Sequence, residues 1–147
     1  MNKNTFKSIG ALLAGFMLIV LLSIGTDLLL EATGVFPSFA EQAAHGFTAQ
    51  WMLLLAFLYR SVYTIAGGYV AAALAPDKPM RHAIILGSIG IIAGTLGAIV
   101  NWDKTTPATT WYPIALVVAG LPCTWLGGKI RVRRVKPALT DRTRRLP

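Results

Sequence analysis

The residues best suited to chemistry form a polar group inside a long apolar segment, Trp51–Leu74. Tyr59, Arg60, Tyr63 and Thr64 lie near the middle of that segment. An arginine near the centre of a membrane-spanning helix costs about 2.5–3.5 kcal/mol on insertion scales, so a partner or a water-filled cavity is expected to offset this cost. Arg60 is therefore the first candidate functional residue.

Two interpretations of Arg60 are open. In one, Arg60 forms a structural ion pair with Asp27 or Glu31, and in the other Arg60, Tyr63 and Thr64 receive an anionic group between helices. At a rise of about 1.5 Å per residue, Arg60 lies about 3 Å outward of the predicted midplane of the membrane and Asp27 about 12 Å outward. An arginine side chain can extend outward over much of that gap, so we prefer the Arg60–Asp27 pair.

No motif in the chain indicates a reaction. The single cysteine, Cys123, excludes a disulfide or a cysteine-based zinc site within one chain. The apolar segments contain no paired carboxylates and no histidine cluster, and the sequence has no nucleophile elbow and no phosphate-binding loop. We therefore predict a non-catalytic protein without a cofactor or a metal site.

Four apolar segments must position these residues. A mean hydropathy of +0.59 and a charged content of 14% are typical of a membrane protein. Each segment is close to the ~20 residues that cross a bilayer, and lipid provides no partners for backbone groups, so all four are predicted to be helices. Their approximate ranges are residues 6–30, 51–74, 82–100 and 111–130. We predict an all-α, polytopic four-helix bundle over residues 1–130, built as two antiparallel hairpins, and a basic cytoplasmic tail over residues 131–147.

The first segment also has the layout of a signal peptide. Lys3 and Lys7 precede an apolar stretch, and Ser23-Ile24-Gly25 resembles a cleavage site. The apolar stretch continues through Leu30, however, and so exceeds the usual core of about 7–15 residues. We interpret the segment as a retained first helix.

The chain has a net charge of +8, and its basic residues are distributed as expected for the two sides of a membrane. The charge therefore does not indicate nucleic-acid binding. Basic residues lie before the first segment, between the second and third, and after the fourth. The other two connections contain one basic residue, Lys104, and carry Glu31, Glu41 and Asp103. The positive-inside rule therefore predicts a multi-pass protein of the cell inner membrane with both termini in the cytoplasm. The residues predicted to contact anionic lipid headgroups after the fourth segment are Lys129, Arg131, Arg133, Arg134 and Lys136.

Small residues predict the packing faces of the helices. Gly67 lies on the same face of the second segment as Arg60. The third segment carries glycines on one face, opposite isoleucine and leucine, and these are Gly87, Gly90, Gly94 and Gly97. Such a face allows close approach of another helix of this chain, which we prefer, or of a second copy. A homo-oligomer or a larger membrane complex therefore remains open.

The connection between the first and second apolar segments contains a pattern typical of a short helix. Ser38 and Glu41 have the spacing of a capping box, and Gly46 is a suitable stop, so a short helix over Phe39–His45 is predicted at the membrane interface. Aromatic residues form a belt at the same outer boundary, namely Trp51, Trp102, Trp111 and Tyr112.

The chain resembles uncharacterised small bacterial four-helix integral membrane proteins over most of residues 8–130. The residues that carry the resemblance are Tyr59-Arg60-Ser61-Val62-Tyr63, Ala66-Gly67-Gly68-Tyr69-Val70-Ala71, Leu74-Ala75-Pro76, Pro79-Met80-Arg81-His82-Ala83, Trp111-Tyr112-Pro113, Leu121-Pro122-Cys123 and Gly127-Gly128. The resemblance implies a location in a bacterial inner membrane. It implies no activity, because that group has no established one. We expect an accessory or assembly subunit, and the alternative is a small transporter or channel with an anion site at Arg60.

Overall fold

The structure, a computed structural model, describes residues 3–47 and 49–144, with side chains described through residue 135. All of the regular secondary structure in that part of the chain is helical. The helices are α1 (Lys3–Ala32), α2 (Phe39–His45), α3 (Gln50–Leu74), α4 (Pro79–Val100) and α5 (Trp111–Arg144), with a short 3-10 turn at Trp102–Lys104. Of these, α1, α3, α4 and α5 are long and apolar enough to cross a membrane. For the described residues, the predicted all-α class and the predicted four helices long and apolar enough to cross a membrane are confirmed.

Among the helix boundaries that differ from the sequence-based limits, two have local reasons. Helix α4 begins at Pro79, because proline suits the first turn of a helix, where its missing N–H has no partner to lose. Helix α5 continues past residue 130 to Arg144. Gly127 and Gly128 are buried within α5. The two glycines lie where α5 packs against its neighbours, and the helix does not end at them. The basic segment therefore begins as a continuation of α5.

Helix α3 is the centre of the bundle and packs against α1, α4 and α5. Small side chains occupy much of the shared core, which contains Ala11, Ala56, Ala71, Ala72 and Ala83 together with Leu53 and Leu86. Many large apolar side chains point outward instead. This distribution is expected in lipid, where close backbone contact between helices replaces the burial of large apolar groups as the main source of association.

Glycines bring the backbones of α3 and α5 into contact. A Cβ atom at Gly127 would lie 2.6 Å from the backbone nitrogen of Tyr69, and one at Gly68 would lie 2.6 Å from the Cα atom of Thr124. Gly67 makes a similar approach to α1, since a Cβ there would lie 2.8 Å from the carbonyl oxygen of Gly15. The contacts of α3 with α5 and with α1 therefore depend on residues without a side chain.

The glycines of α4 divide into two groups. A Cβ atom at Gly87 would lie 3.1 Å from the Cα atom of Leu121, and one at Gly94 would lie 3.3 Å from a methyl group of Val117. Gly90 and Gly97 have no atom within 4 Å of that position, so the expected packing of the whole face is not found at these two residues. The buried residues of α4 all lie between His82 and Gly87. The packing of α4 is therefore closest in its first half.

The predicted short helix α2 is confirmed, including its cap. The Ser38 Oγ accepts a hydrogen bond from the Glu41 backbone N–H at 3.3 Å, and the Glu41 Oε2 accepts one from the Ser38 backbone N–H at 2.9 Å. The hydrogen bonds from Ser38, first from its backbone and then from its side chain, lower the pKa of Glu41 below its ordinary value. Gly46 ends the helix with a φ of 66°, which suits glycine because a side chain is strained there.

Candidate functional site

Arg60 of α3 and Asp27 of α1 form an ion pair. The Arg60 Nη2 donates a hydrogen bond to the Asp27 Oδ2 at 2.6 Å, and each side chain is 31% exposed. The Tyr59 hydroxyl donates to the other carboxylate oxygen, Oδ1. Both oxygens of Asp27 therefore accept hydrogen bonds from adjacent residues of α3, and the carboxylate links the two helices.

A second polar contact joins the same helices one turn further along α3. The hydroxyl groups of Tyr63 and Thr26 are 2.8 Å apart, and the rings of Tyr59 and Tyr63 have centroids 5.7 Å apart. We call Thr26, Asp27, Tyr59, Arg60 and Tyr63 the α1–α3 polar cluster. The sequence places Tyr59 in the polar group around Arg60 but does not predict its bond to Asp27, and it predicts no role for Thr26. The signal that could have found them is the four-residue spacing of Tyr59 and Tyr63 on the helix face that would meet Thr26 and Asp27.

Two residues predicted to act with Arg60 lie elsewhere. The Glu31 Oε1 accepts a hydrogen bond from the backbone N–H of Phe39 at 2.9 Å, so Glu31 holds the start of α2. It lies about 6 Å beyond Asp27 along α1, which is too far outward to share Arg60. The Thr64 Oγ1 donates to the Arg60 backbone carbonyl at 2.7 Å. This bond to the preceding turn satisfies the Thr64 hydroxyl within its own helix.

A partly enclosed cavity of about 470 Å³ lies between α2, α3, α4 and α5, and Arg60 forms part of its wall. Tyr112, Asn101 and Lys104 line it as well, whereas Tyr63 and Thr64 do not. Arg60 thus has two environments, the carboxylate of α1 and the cavity. Tyr112, which the sequence analysis placed only in the aromatic belt, belongs to this second environment.

Two residues that line the cavity each have a buried polar atom without a hydrogen-bond partner in the part of the chain that the structure describes. These atoms are the Arg60 Nε and the Tyr112 hydroxyl oxygen. Buried polar groups in native proteins are nearly always paired, so an unpaired group calls for an explanation such as a bound water or ligand. The cavity next to both residues provides room for one.

Contacts at the start of α3 hold one end of this cavity together. The Gln50 side-chain amide nitrogen donates to the Ala108 carbonyl at 2.7 Å, and its amide oxygen accepts from the Trp111 indole N–H at 2.8 Å. A Cβ atom at Gly46 would lie 3.0 Å from the Lys104 carbonyl oxygen. The connection before α3 and the connection before α5 are therefore in contact, and both line the cavity together with α2.

The basic residues of α5 are placed in part. The Lys129 Nζ lies 4.2 Å from the centroid of the Trp125 ring, and Arg133 and Arg134 are exposed while Arg131 is half-buried. The side chain of Lys136 lies outside the described residues. Contact of this segment with anionic headgroups remains a prediction.

Within residues 3–47 and 49–135, where side chains are described, no group of three His, Cys, Asp or Glu side chains is placed to hold a metal ion. Comparisons of the chain with protein-family models, with curated proteins and with solved structures found no match. Function is therefore argued from the geometry of the α1–α3 polar cluster and the cavity.

Proposed function

We propose that this protein is a small, non-catalytic subunit of the bacterial cell inner membrane, with an accessory or assembly role, in which Arg60 and Asp27 form a structural pair. The observation that carries the proposal is the pair of hydrogen bonds that the Asp27 carboxylate accepts from Arg60 and Tyr59. A half-buried ion pair adds little net stability because of the cost of desolvation, and its best-attested use is to specify one arrangement of helices. Here it specifies how α1 is seated on α3.

In this proposal the four long helices form two antiparallel hairpins, with both termini in the cytoplasm. The support is the distribution of charge, since basic residues are concentrated on three connections or tails and acidic residues on the other two. The exposed Arg133 and Arg134 lie beyond the apolar part of α5, where they would meet anionic headgroups of the inner leaflet.

The orientation can be tested with reporter fusions in cells. Fusions at Ala40 and Thr105 should give a periplasmic signal, and fusions at Lys78 and Thr140 a cytoplasmic signal, because the basic segments are retained inside. The four fusions serve as controls for one another, because all are made in the same protein and only the side of the membrane that the fusion point reaches differs. A periplasmic signal from Lys78 or Thr140 would contradict the orientation.

The accessory role predicts a protein partner. Purification in a mild detergent, followed by mass analysis of the intact complex, should give this chain together with a second protein or further copies in a fixed ratio. An unrelated four-helix membrane protein with the same tag, prepared in parallel, identifies proteins that bind the tag or the detergent micelle. A monomer carrying only lipid under every detergent condition would count against a subunit role.

The alternative is a small transporter or channel that receives an anion at Arg60. The observation that favours it is that Arg60 also lines a cavity, and an ionisable residue within a membrane-spanning helix commonly marks a substrate or ion pathway. In this function Arg60→Gln would abolish transport with little effect on the fold. If Arg60 and Asp27 form a structural pair, Asp27→Asn instead destabilises the fold. The thermal stability of the two single variants therefore distinguishes the two functions.

A further inference from the structure

We propose that the cavity beside Arg60 binds one small amphiphilic anion, a carboxylate or phosphate monoester attached to an apolar chain or ring. The inference goes beyond the structural role of the Arg60–Asp27 pair, and it concerns binding whether or not the ligand is moved across the membrane. A volume of about 470 Å³ falls within the range of roughly 300–1,000 Å³ that is common for sites of small organic molecules.

The charge of the cavity wall selects an anion. Arg60 and Lys104 are its charged residues, and none of the described residues that line it is acidic. The carboxylate of Asp27 approaches Arg60 through Nη2 alone. The Lys104 Nζ contacts only a neutral group among the described residues, the Asn101 amide oxygen at 3.2 Å. The wall therefore carries a net positive charge, and apolar surroundings strengthen its attraction for an oxyanion.

The unpaired donors point to the same chemistry. The Arg60 Nε and the Tyr112 hydroxyl are both buried without a partner in the described structure, and each can donate a hydrogen bond. Both atoms are closed to solvent, so binding would include a movement of these two cavity-lining side chains that lets an oxyanion supply the acceptor both groups lack. Guanidinium groups bind carboxylate and phosphate oxygens especially well because their planar donors match the planar arrangement of the acceptors.

The rest of the wall requires an apolar body on the ligand. Phe39 and Phe47 come from the region of α2, Leu53 from α3 and Leu116 from α5, and apolar surface predominates over polar surface around the cavity. Inorganic phosphate would leave this surface in contact with water, whereas a chain or ring covers it. A lipid-derived acid and a soluble acid with an apolar group share this chemistry.

Binding can be measured by calorimetry on the purified full-length protein in a mild non-ionic detergent. The probes are dodecanoate and dodecyl phosphate, with dodecanol and dodecyltrimethylammonium as neutral and cationic controls of the same chain length. Inorganic phosphate and phenylacetate test soluble anions without and with an apolar group.

We expect binding of the two dodecyl anions at least 10-fold tighter than that of dodecanol. Equal affinity for dodecanol, or equally tight binding of inorganic phosphate, would overturn the proposal; phenylacetate binding in place of the dodecyl anions would support it with a soluble ligand.

Two glycines of α4 provide a matched pair of variants. Gly97 lines the cavity and Gly90 does not, while neither has an atom within 4 Å of its Cβ position. Gly97→Leu should therefore fill part of the cavity and weaken binding at least 10-fold, and Gly90→Leu should leave binding unchanged. Lys104→Gln should weaken binding of the anions and leave that of dodecanol unchanged. Unchanged binding in both Gly97→Leu and Lys104→Gln would place the ligand elsewhere and refute the site.

These outcomes are independent of the Arg60–Asp27 pair. The pair is assessed from the stability of the protein without ligand, and none of the three variants above alters the pair. If the protein has the structural pair but binds no ligand, only the binding proposal fails. If it binds ligand but lacks the structural pair, only the proposed structural role fails.

Discussion

Asp27→Asn should lower the free energy of unfolding by about 2–3 kcal/mol, which is less than the roughly 3–5 kcal/mol lost when one partner of a fully desolvated ion pair is removed. The smaller value is expected because Asp27 and Arg60 each keep 31% of their side-chain surface exposed. The loss arises because the Arg60 guanidinium stays between α1 and α3 with a neutral amide in place of the carboxylate. The change can be measured by thermal unfolding in detergent.

The double variant Asp27→Asn/Arg60→Gln should recover much of this loss, because no uncompensated charge remains. Glu31→Gln is the matched control, since Glu31 lies one turn further along α1 and its carboxylate accepts a hydrogen bond from the Phe39 backbone N–H at the start of α2 rather than from Arg60. Additive effects of the two single variants would rule out direct pairing. A stable Arg60→Gln variant that has lost anion binding, together with an Asp27→Asn variant of normal stability, would instead favour the ligand site.

Gly127→Ala should destabilise the protein by about 1–3 kcal/mol, the typical cost of inserting an extra carbon into a packed core. We expect a value near the upper end of that range. The new Cβ would meet the backbone of α3 at the Ile65 carbonyl oxygen and at the Tyr69 nitrogen, 2.6 Å away. Neither atom can move without a shift of the whole helix, so α5 must separate from α3.

Gly120→Ala on the same helix is the matched control. Its Cβ position has no atom within 4 Å, so it should be neutral or slightly stabilising, since alanine is favoured over glycine inside a helix by up to about 1 kcal/mol. The midpoint of thermal unfolding in detergent, compared between the two variants, measures the difference. Similar midpoints would show that the close contact between α3 and α5 is not maintained in the protein.

Arg60 illustrates how far reasoning from the sequence reached. Its place in an apolar segment identified it as a residue in need of a partner, and the helical rise brought Asp27 within reach of its side chain. The same reasoning preferred Asp27 but left Glu31 open as an alternative partner. Glu31 bonds to the start of α2, and that outcome depends on the path of the connection after α1, which periodicity along a single helix does not describe.

The glycines of α4 show a similar limit. The spacing placed Gly87, Gly90, Gly94 and Gly97 on one face, but only Gly87 and Gly94 have close neighbours. A face is defined by the helix alone, whereas its contacts depend on the angle at which the next helix crosses it. The cavity arises from the same cause, and it brings together Arg60, Tyr112 and Lys104 from three separate parts of the chain.

The sequence by itself determined the all-α class, the four long apolar helices and the capped helix α2. These features depend on interactions between residues close in the chain, namely continuous apolar runs long enough for a bilayer and the reciprocal bonds of Ser38 and Glu41. Only the tertiary structure decided that Tyr59 shares Asp27 with Arg60, that Gly127 touches α3 and that Arg60 faces a cavity. Those features depend on distances between helices, and such distances result from the packing of all the helices together.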